Sequence, residues 1–172
     1  RDDDMTITGK RHDFRIDYEV GFDERGRILG ADIVLMSRCG YSTDYSGPVN
    51  DRACLHIDNC YHIPALKLIS HRCKTHTQSA TAFRGFGGPQ GMFVIEAAIA
   101  TAADQLNISA AEIQQKNLLQ TGDEFPYGQK AASEANECWS KANQLFGIKK
   151  LQQDISTFNS KNKLTKKGIA VM

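Results

Sequence analysis

Period-two alternation on both sides of a single turn constrains this chain more than any other feature. Phe14, Ile16, Tyr18, Val20 and Phe22 alternate with mostly polar residues. Asp23-Glu24-Arg25-Gly26 supplies turn-forming residues, and Leu29, Ala31, Ile33 and Leu35 resume the alternation. Successive strand side chains point to opposite faces, so each run describes a strand with one buried face. Together they predict a long antiparallel hairpin. Gly40 to Asn50, rich in Ser, Gly, Asp and Tyr and holding Pro48, reads as a loop, and Leu66 to Thr77 as a further strand.

Helical spacing takes over later. Asp51 to Asn59 reads as a short helix ended by Cys60-Tyr61-His62-Ile63-Pro64. Pro89 suits the first turn of a longer helix, where Met92, Ile95, Ile99 and Ala102 recur at helical spacing up to about Leu106. Ser109-Ala110-Ala111-Glu112 is a capping box that starts another helix, which ends before Gly122. Ser133 to Phe146 follows as a further helix, with Gly147 as its C-cap, and Lys149 to Phe158 as another short one. Gly168 to Met172 reads as a strand that stops midway, and Arg1 opens a charged run, so both ends are expected to be cut. Strands first and helices later predict an α+β fold.

With 41% apolar and 24% charged residues, the 172-residue chain has the make-up of a globular domain with its own core. A net charge of +1 gives no reason to expect nucleic acid. The apolar runs are too short to span a bilayer, so no membrane partner is expected. Five cysteines, an odd number with no Cys-x-x-Cys, predict reduced, mostly buried thiols in a cytoplasmic protein.

The candidate functional feature is Thr81-Ala82-Phe83-Arg84-Gly85-Phe86-Gly87-Gly88-Pro89-Gln90-Gly91-Met92. A glycine loop feeding a helix start can hold an anion on free amides. The dinucleotide fingerprint fails, because Gln90 stands where its last glycine belongs, and the Gly-Lys-Ser/Thr of a P-loop is absent. Two readings of the residues remain open here. One is a phosphate- or nucleotide-binding module using Gly85–Gly88; the other is a tight turn that only lets backbone pack closely.

Phe83-Arg84-Gly85-Phe86-Gly87-Gly88-Pro89-Gln90 closely resembles a signature of the molybdenum hydroxylases, the family of xanthine dehydrogenases and aldehyde oxidases. Asp4-Met5-x-x-Thr8-Gly9-x-Arg11-His12 and Asp51-Arg52-Ala53-x-x-His56-x-Asp58-Asn59-x-Tyr61-x-Ile63-Pro64 are similar to two further blocks of that family. The resemblance runs in order up to Phe158, and Asp13 departs from the family's His-Pro pair. It implies that residues 1–172 are part of a molybdenum-cofactor-binding domain, truncated at both ends. The implied reaction hydroxylates a carbon of an N-heterocycle or aldehyde with oxygen from water at a molybdenum–molybdopterin centre. A glutamate base beyond this fragment is implied, and electrons pass to 2Fe-2S clusters, FAD and NAD held elsewhere in the full complex. The implied partners are the remainder of the molybdenum subunit, an Fe-S/FAD subunit or domain and a purine substrate, in an oligomeric enzyme. The fragment alone is expected to be inactive.

The resemblance also implies site residues. Phe83, Arg84 and Gly85 lie where the family contacts the cofactor, Arg84 through its backbone N–H and so only indirectly toward the metal. Phe86 lies where a ring packs against the flat substrate, although phenylalanine is more commonly plain core. Arg52 lies where the family faces substrate, and arginine there is typical of members oxidising hypoxanthine and xanthine to urate. Its physical role is to orient substrate and to stabilise negative charge developing in the transition state. The alternative is an aldehyde oxidase or another N-heterocycle hydroxylase of the family. By residue type alone, Arg52 reads as a surface ion pair with Asp51 or Asp58. His71, Cys73 and His76 suggest a metal cluster, but on one strand His76 points away from the other two. His12, His56 and His62 carry no assigned role.

Overall fold

The computed structural model describes residues 2–169. A short helix α1 (Asp2–Ile7) precedes strands β1 (Phe14–Phe22) and β2 (Ile28–Gly40), helix α2 (Ser46–Cys54) and strand β3 (Leu66–Lys74). Helices α3 (Gly88–Leu106), α4 (Ala110–Asn117), α5 (Ala135–Phe146) and α6 (Ile148–Lys161) follow. The fold is α+β, with a three-stranded sheet in the order β1-β2-β3.

β1 and β2 form the expected antiparallel hairpin, with Tyr18 opposite Ile33. The Asp23 carboxylate shapes its turn, accepting from the Arg25 and Arg27 amides at 2.9 and 2.7 Å. The alternation of β2 differs from expectation at one point. Phe22 pairs with Ile28 while Gly21 pairs with Gly30, so Leu29 is bulged, and it is Ile28 that is buried while Leu29 is exposed. Beyond the bulge Ile33, Leu35, Ser37 and Cys39 share the buried face. β3 joins β2 in parallel and ends at Lys74, short of Thr77. Thr75 meets the end of β2 through both groups, its amide donating to the Gly40 carbonyl at 3.0 Å and its hydroxyl accepting from the Gly40 amide at 3.2 Å.

α2 begins at Ser46 and ends at Cys54, five residues earlier at each end than the expected helix over 51–59. Pro48 lies in its first turn, where the missing N–H leaves nothing unsatisfied. Asn59 adopts a φ of 50°, which closes the turns after the helix. The connection β2–α2–β3 lays α2 over one face of the sheet beside α3. Ile33, Leu35, Ala53, Ile57 and Val94 form one core cluster between them. Ile28, Tyr61, Ile63, Ile95, Ile99 and Ile113 dominate a second, reached by the other side of α3. Each fully buried isoleucine contributes roughly 1.5–3 kcal/mol.

Asn117 ties the hairpin to α4. Its side chain donates to the Gly26 carbonyl at 2.8 Å and accepts from the Ile28 amide at 2.9 Å. Ser109 caps α4 as expected, accepting from the Glu112 amide at 3.2 Å, while the Glu112 carboxylate pairs with Lys116 instead of completing the box. α5 starts at Ala135, two residues after Ser133, and Gly147 caps it with a φ of 57°. α6 runs longer than expected at both ends. All five thiols are free, but only Cys39 is buried; Cys138 is exposed on α5 and the others are half-buried, against the expectation of mostly buried thiols. Residues 168 and 169 are not in a strand, and the rest of the expected terminal strand lies outside the described residues. Among the described residues, no helix is long and apolar enough to cross a membrane.

Candidate functional site

The glycine loop between β3 and α3 has an unusual backbone. Gly85, Phe86 and Gly87 adopt consecutive positive φ values of 88°, 50° and 96°. For phenylalanine that conformation is rare and costs energy, so the fold must impose it. The imposed contact is visible. A Cβ on Gly87 would overlap the Val49 carbonyl oxygen, and one on Gly91 would overlap the Ala53 carbonyl oxygen. The first turn of α3 therefore rests directly on the backbone of α2, and only glycine permits that approach. Two turns close the loop, Phe86 N–H to Phe83 C=O at 2.8 Å and Gly88 N–H to Gly85 C=O at 2.9 Å.

From behind, the loop is braced by the N-terminal segment. Arg11 donates to the Arg84 carbonyl at 2.7 Å and lays its guanidinium 4.3 Å from the centre of the Phe83 ring. Gln90 donates to the His12 carbonyl at 3.1 Å, and buried His12 meets Ser46 of α2 at 2.8 Å through Nε2. Burial holds the His12 imidazole below its ordinary value, with Asp44 and Asp13 pulling partly the other way. Arg11 and His12 stand in the first of the three family-like blocks, so a bracing role could have been sought there. On the open side, Phe83, Arg84 and Gly85 are exposed, and their amides donate to no acceptor among the described residues.

Arg52 approaches the glycine loop at Gly88, while the Phe86 ring meets the other end of α2. Arg52 is an exposed residue in the last turn of α2, and its Nε lies 3.8 Å from where a Gly88 Cβ would sit. No carboxylate among the described residues lies within ion-pair distance of it, so the pairing with Asp51 or Asp58 does not form. The Phe86 ring is half-buried and meets Tyr45, at the start of α2, edge-on with centroids 6.0 Å apart. His56 flanks the same Gly88 position as Arg52, its Nδ1 3.0 Å from the Arg52 carbonyl oxygen and its ring edge 3.5 Å from the Gly88 Cβ position. His71, Cys73 and His76 form no metal-binding group among the described residues, and His62 faces Asp123 at 3.9 Å.

A second polar cluster lies under α5. The Glu96 carboxylate accepts from Tyr61 Oη at 2.6 Å, Asn59 Nδ2 at 2.9 Å and Gln114 Nε2 at 2.8 Å. Burial, followed by that carboxylate, pushes the Tyr61 phenol far up, which keeps it a neutral donor. These bonds join α3 and α4 to the segment after α2.

The family model of the molybdopterin cofactor-binding domain matches residues 1–118. The chain belongs to the molybdenum hydroxylase family. It is 38% identical to a nicotinate hydroxylase of Emericella nidulans over 178 residues and 37% identical to a xanthine dehydrogenase/oxidase of Felis catus over 175. Each match takes in 100% of this chain and 13% of the relative, so the chain spans a small part of a molybdenum hydroxylase. The aldehyde oxidoreductase of Desulfovibrio gigas shares the fold, with a TM-score of 0.78 at 23% identity over 91% of this chain and 17% of that one.

The residues present fit a molybdopterin group. Three consecutive amides without a partner among the described residues, on a loop braced from behind, are suited to the electron-rich edge of an anionic cofactor. Phe83, Arg84 and Gly85 would hold it from this side. The use of the Phe86 and Gly88 amides inside the loop leaves less for a free phosphate than an empty nest would offer.

Proposed function

We propose that this chain forms one wall of the active site of a cytoplasmic molybdenum hydroxylase that oxidises hypoxanthine and xanthine to urate. The observation that carries the reading is the exposed Arg52 guanidinium beside Gly88 of the loop that carries Phe86, with no ion-pair partner among the described residues. When bound, the molybdenum–pterin group supplies the redox chemistry by which oxygen from water enters the substrate carbon. The chain's own residues bind and orient. Phe83, Arg84 and Gly85 offer backbone N–H groups to the cofactor. Phe86 gives a flat ring against which a heterocycle packs edge-on or offset, worth roughly 0.5–1.5 kcal/mol. Arg52 donates hydrogen bonds to a ring carbonyl as negative charge gathers there, and removing such a donor costs on the order of a hundredfold in rate. The strained Phe86 backbone supports this assignment, because strain concentrates where a fold holds a side chain for function. The base, the 2Fe-2S, FAD and NAD sites and the rest of the cofactor pocket belong to the remainder of the subunit and its electron-transfer partner.

Arg52 favours a second substrate within the same class. A guanidinium with no ion-pair partner among the described residues also fits the carboxylate of nicotinate bidentately, which is consistent with the 38% identity to a nicotinate hydroxylase. The full-length enzyme and its Arg52→Met variant separate the readings. Turnover of xanthine, nicotinate and an aromatic aldehyde is measured for each. Preference for xanthine, lost selectively in the variant, supports the purine reading. Preference for nicotinate, lost the same way, transfers the role of Arg52 to a carboxylate. Unchanged turnover of both refutes a substrate role for Arg52.

A further inference from the structure

We propose that His56 is a positioning residue that sets where the Arg52 guanidinium stands; this rests on Arg52 facing substrate. The end of α2 carries the argument. The Leu55, His56 and Ile57 amides donate to the carbonyls of Asp51, Ala53 and Cys54, and no amide among the described residues takes the Arg52 carbonyl. The His56 ring takes it instead, with Nδ1 at 3.0 Å. A carbonyl only accepts, so Nδ1 is the donor in this contact. The same ring then lies against the side-chain end of Arg52's surroundings. His56 Cδ2 and Arg52 Nε stand 3.5 and 3.8 Å from one point, the Gly88 Cβ position.

His56 thus grips Arg52 at its backbone and bounds the space open to its side chain. Gly88 leaves that space free, and α3 cannot drift from it because Gly91 is seated on Ala53. An arginine on the surface has many rotamers to lose when it binds. One that is walled on one side and anchored through its carbonyl has fewer, which suits a donor that must be in place before charge develops. A histidine four residues beyond the arginine is the only device this requires, and it lies in the same family-like block.

The test uses the full-length enzyme as Arg52→Met, His56→Ala and the double variant, with xanthine and an aromatic aldehyde that makes no use of the guanidinium. His56→Ala is expected to lower kcat on xanthine roughly tenfold, within the range that small misplacement of a positioning group produces. Aldehyde turnover is expected to change little, and His56→Ala is expected to cost nothing further in the Arg52→Met background. Equal losses on both substrates, or an additive loss in the double variant, overturn the proposal and leave His56 a helix cap. If Arg52→Met alone spares xanthine turnover, the reading of Arg52 fails first and the proposal with it. Should His56→Ala not fold, His56→Gln keeps a donor for the helix end without the ring. Selective loss on xanthine in that variant supports the proposal, and full turnover overturns it.

Discussion

Asp58 carries a pH dependence that can be worked from the structure. It is 3% exposed, and its Oδ2 has no hydrogen-bond partner. Burial pushes its carboxyl up from 3.8 to about 6, only partly offset by its own backbone amide and by His56. Between those values the folded chain holds a proton that the unfolded chain has released. Its contribution is therefore fully present below pH 3.8 and is lost as pH rises toward about 6. At about 1.4 kcal/mol per pH unit, the loss amounts to about 3 kcal/mol. His12 acts in the opposite sense, since its depressed imidazole costs stability as pH falls through its ordinary 6.5. The two must be separated, and Asp58→Asn does so because the amide does not titrate. Urea unfolding followed by far-UV circular dichroism, across pH 3.5 to 7.5 for both chains, gives the difference in stability. The variant is expected to gain about 3 kcal/mol on wild type between the acid and neutral ends, with the change centred between pH 4 and 6. A difference that stays constant with pH refutes the reasoning, for it means that Asp58 ionises in place at no cost.

Two substitutions test how the site is held. Gly91→Ala puts a methyl into the Ala53 carbonyl oxygen and is expected to cost about 3 kcal/mol, read as a lower unfolding midpoint in urea. Asn117→Ala strands the buried Ile28 amide and the Gly26 carbonyl, with an expected cost also of about 3 kcal/mol. Amide hydrogen exchange at Ile28 and the hairpin turn is expected to accelerate in that variant, and unchanged exchange there refutes the latch.

Much of the fold is legible because it is local. The hairpin follows from alternation around an Asp-to-Gly turn, α4 from a serine cap, and α3 from apolar spacing after a proline. What escaped depends on partners. Period two does not say which strand lies beside which, so the parallel pairing of β3 with β2 is not written in Leu66–Lys74. The bulge at Leu29 exchanges Ile28 for Leu29 on the buried face, and neighbouring Gly21 and Gly30 give no side-chain pattern to reveal it. α2 is displaced because Pro48 reads as a loop residue, whereas a first-turn proline suits a helix equally well. The candidate site residues come from resemblance. The approach of Arg52 to Gly88 does not, because the two lie on different elements joined by contacts that no local pattern encodes.

Those contacts explain why the loop needs several glycines. Gly87 and Gly91 lack a Cβ so that α3 can rest on the carbonyls of Val49 and Ala53, which fixes the spacing between α2 and the loop. Gly85 and Gly87 carry the positive φ values that hold Phe86 between them in a conformation it would not choose. Gly88 does neither: a Cβ there makes only ordinary contacts, with His56 and Arg52. Its effect is to leave open the space that those two side chains flank. A methyl there fits at ordinary contact and is expected to cost little stability while taking up space beside Arg52, whereas filling Gly87 or Gly91 is expected to unseat α3 itself. Gly88→Ala compared with Gly91→Ala, by unfolding midpoint and by the ratio of xanthine to aldehyde turnover in the full-length enzyme, separates the two roles. A large stability loss in Gly88→Ala contradicts the open space. An unmoved substrate ratio, with a side chain added beside the guanidinium, contradicts the placement of substrate against Arg52.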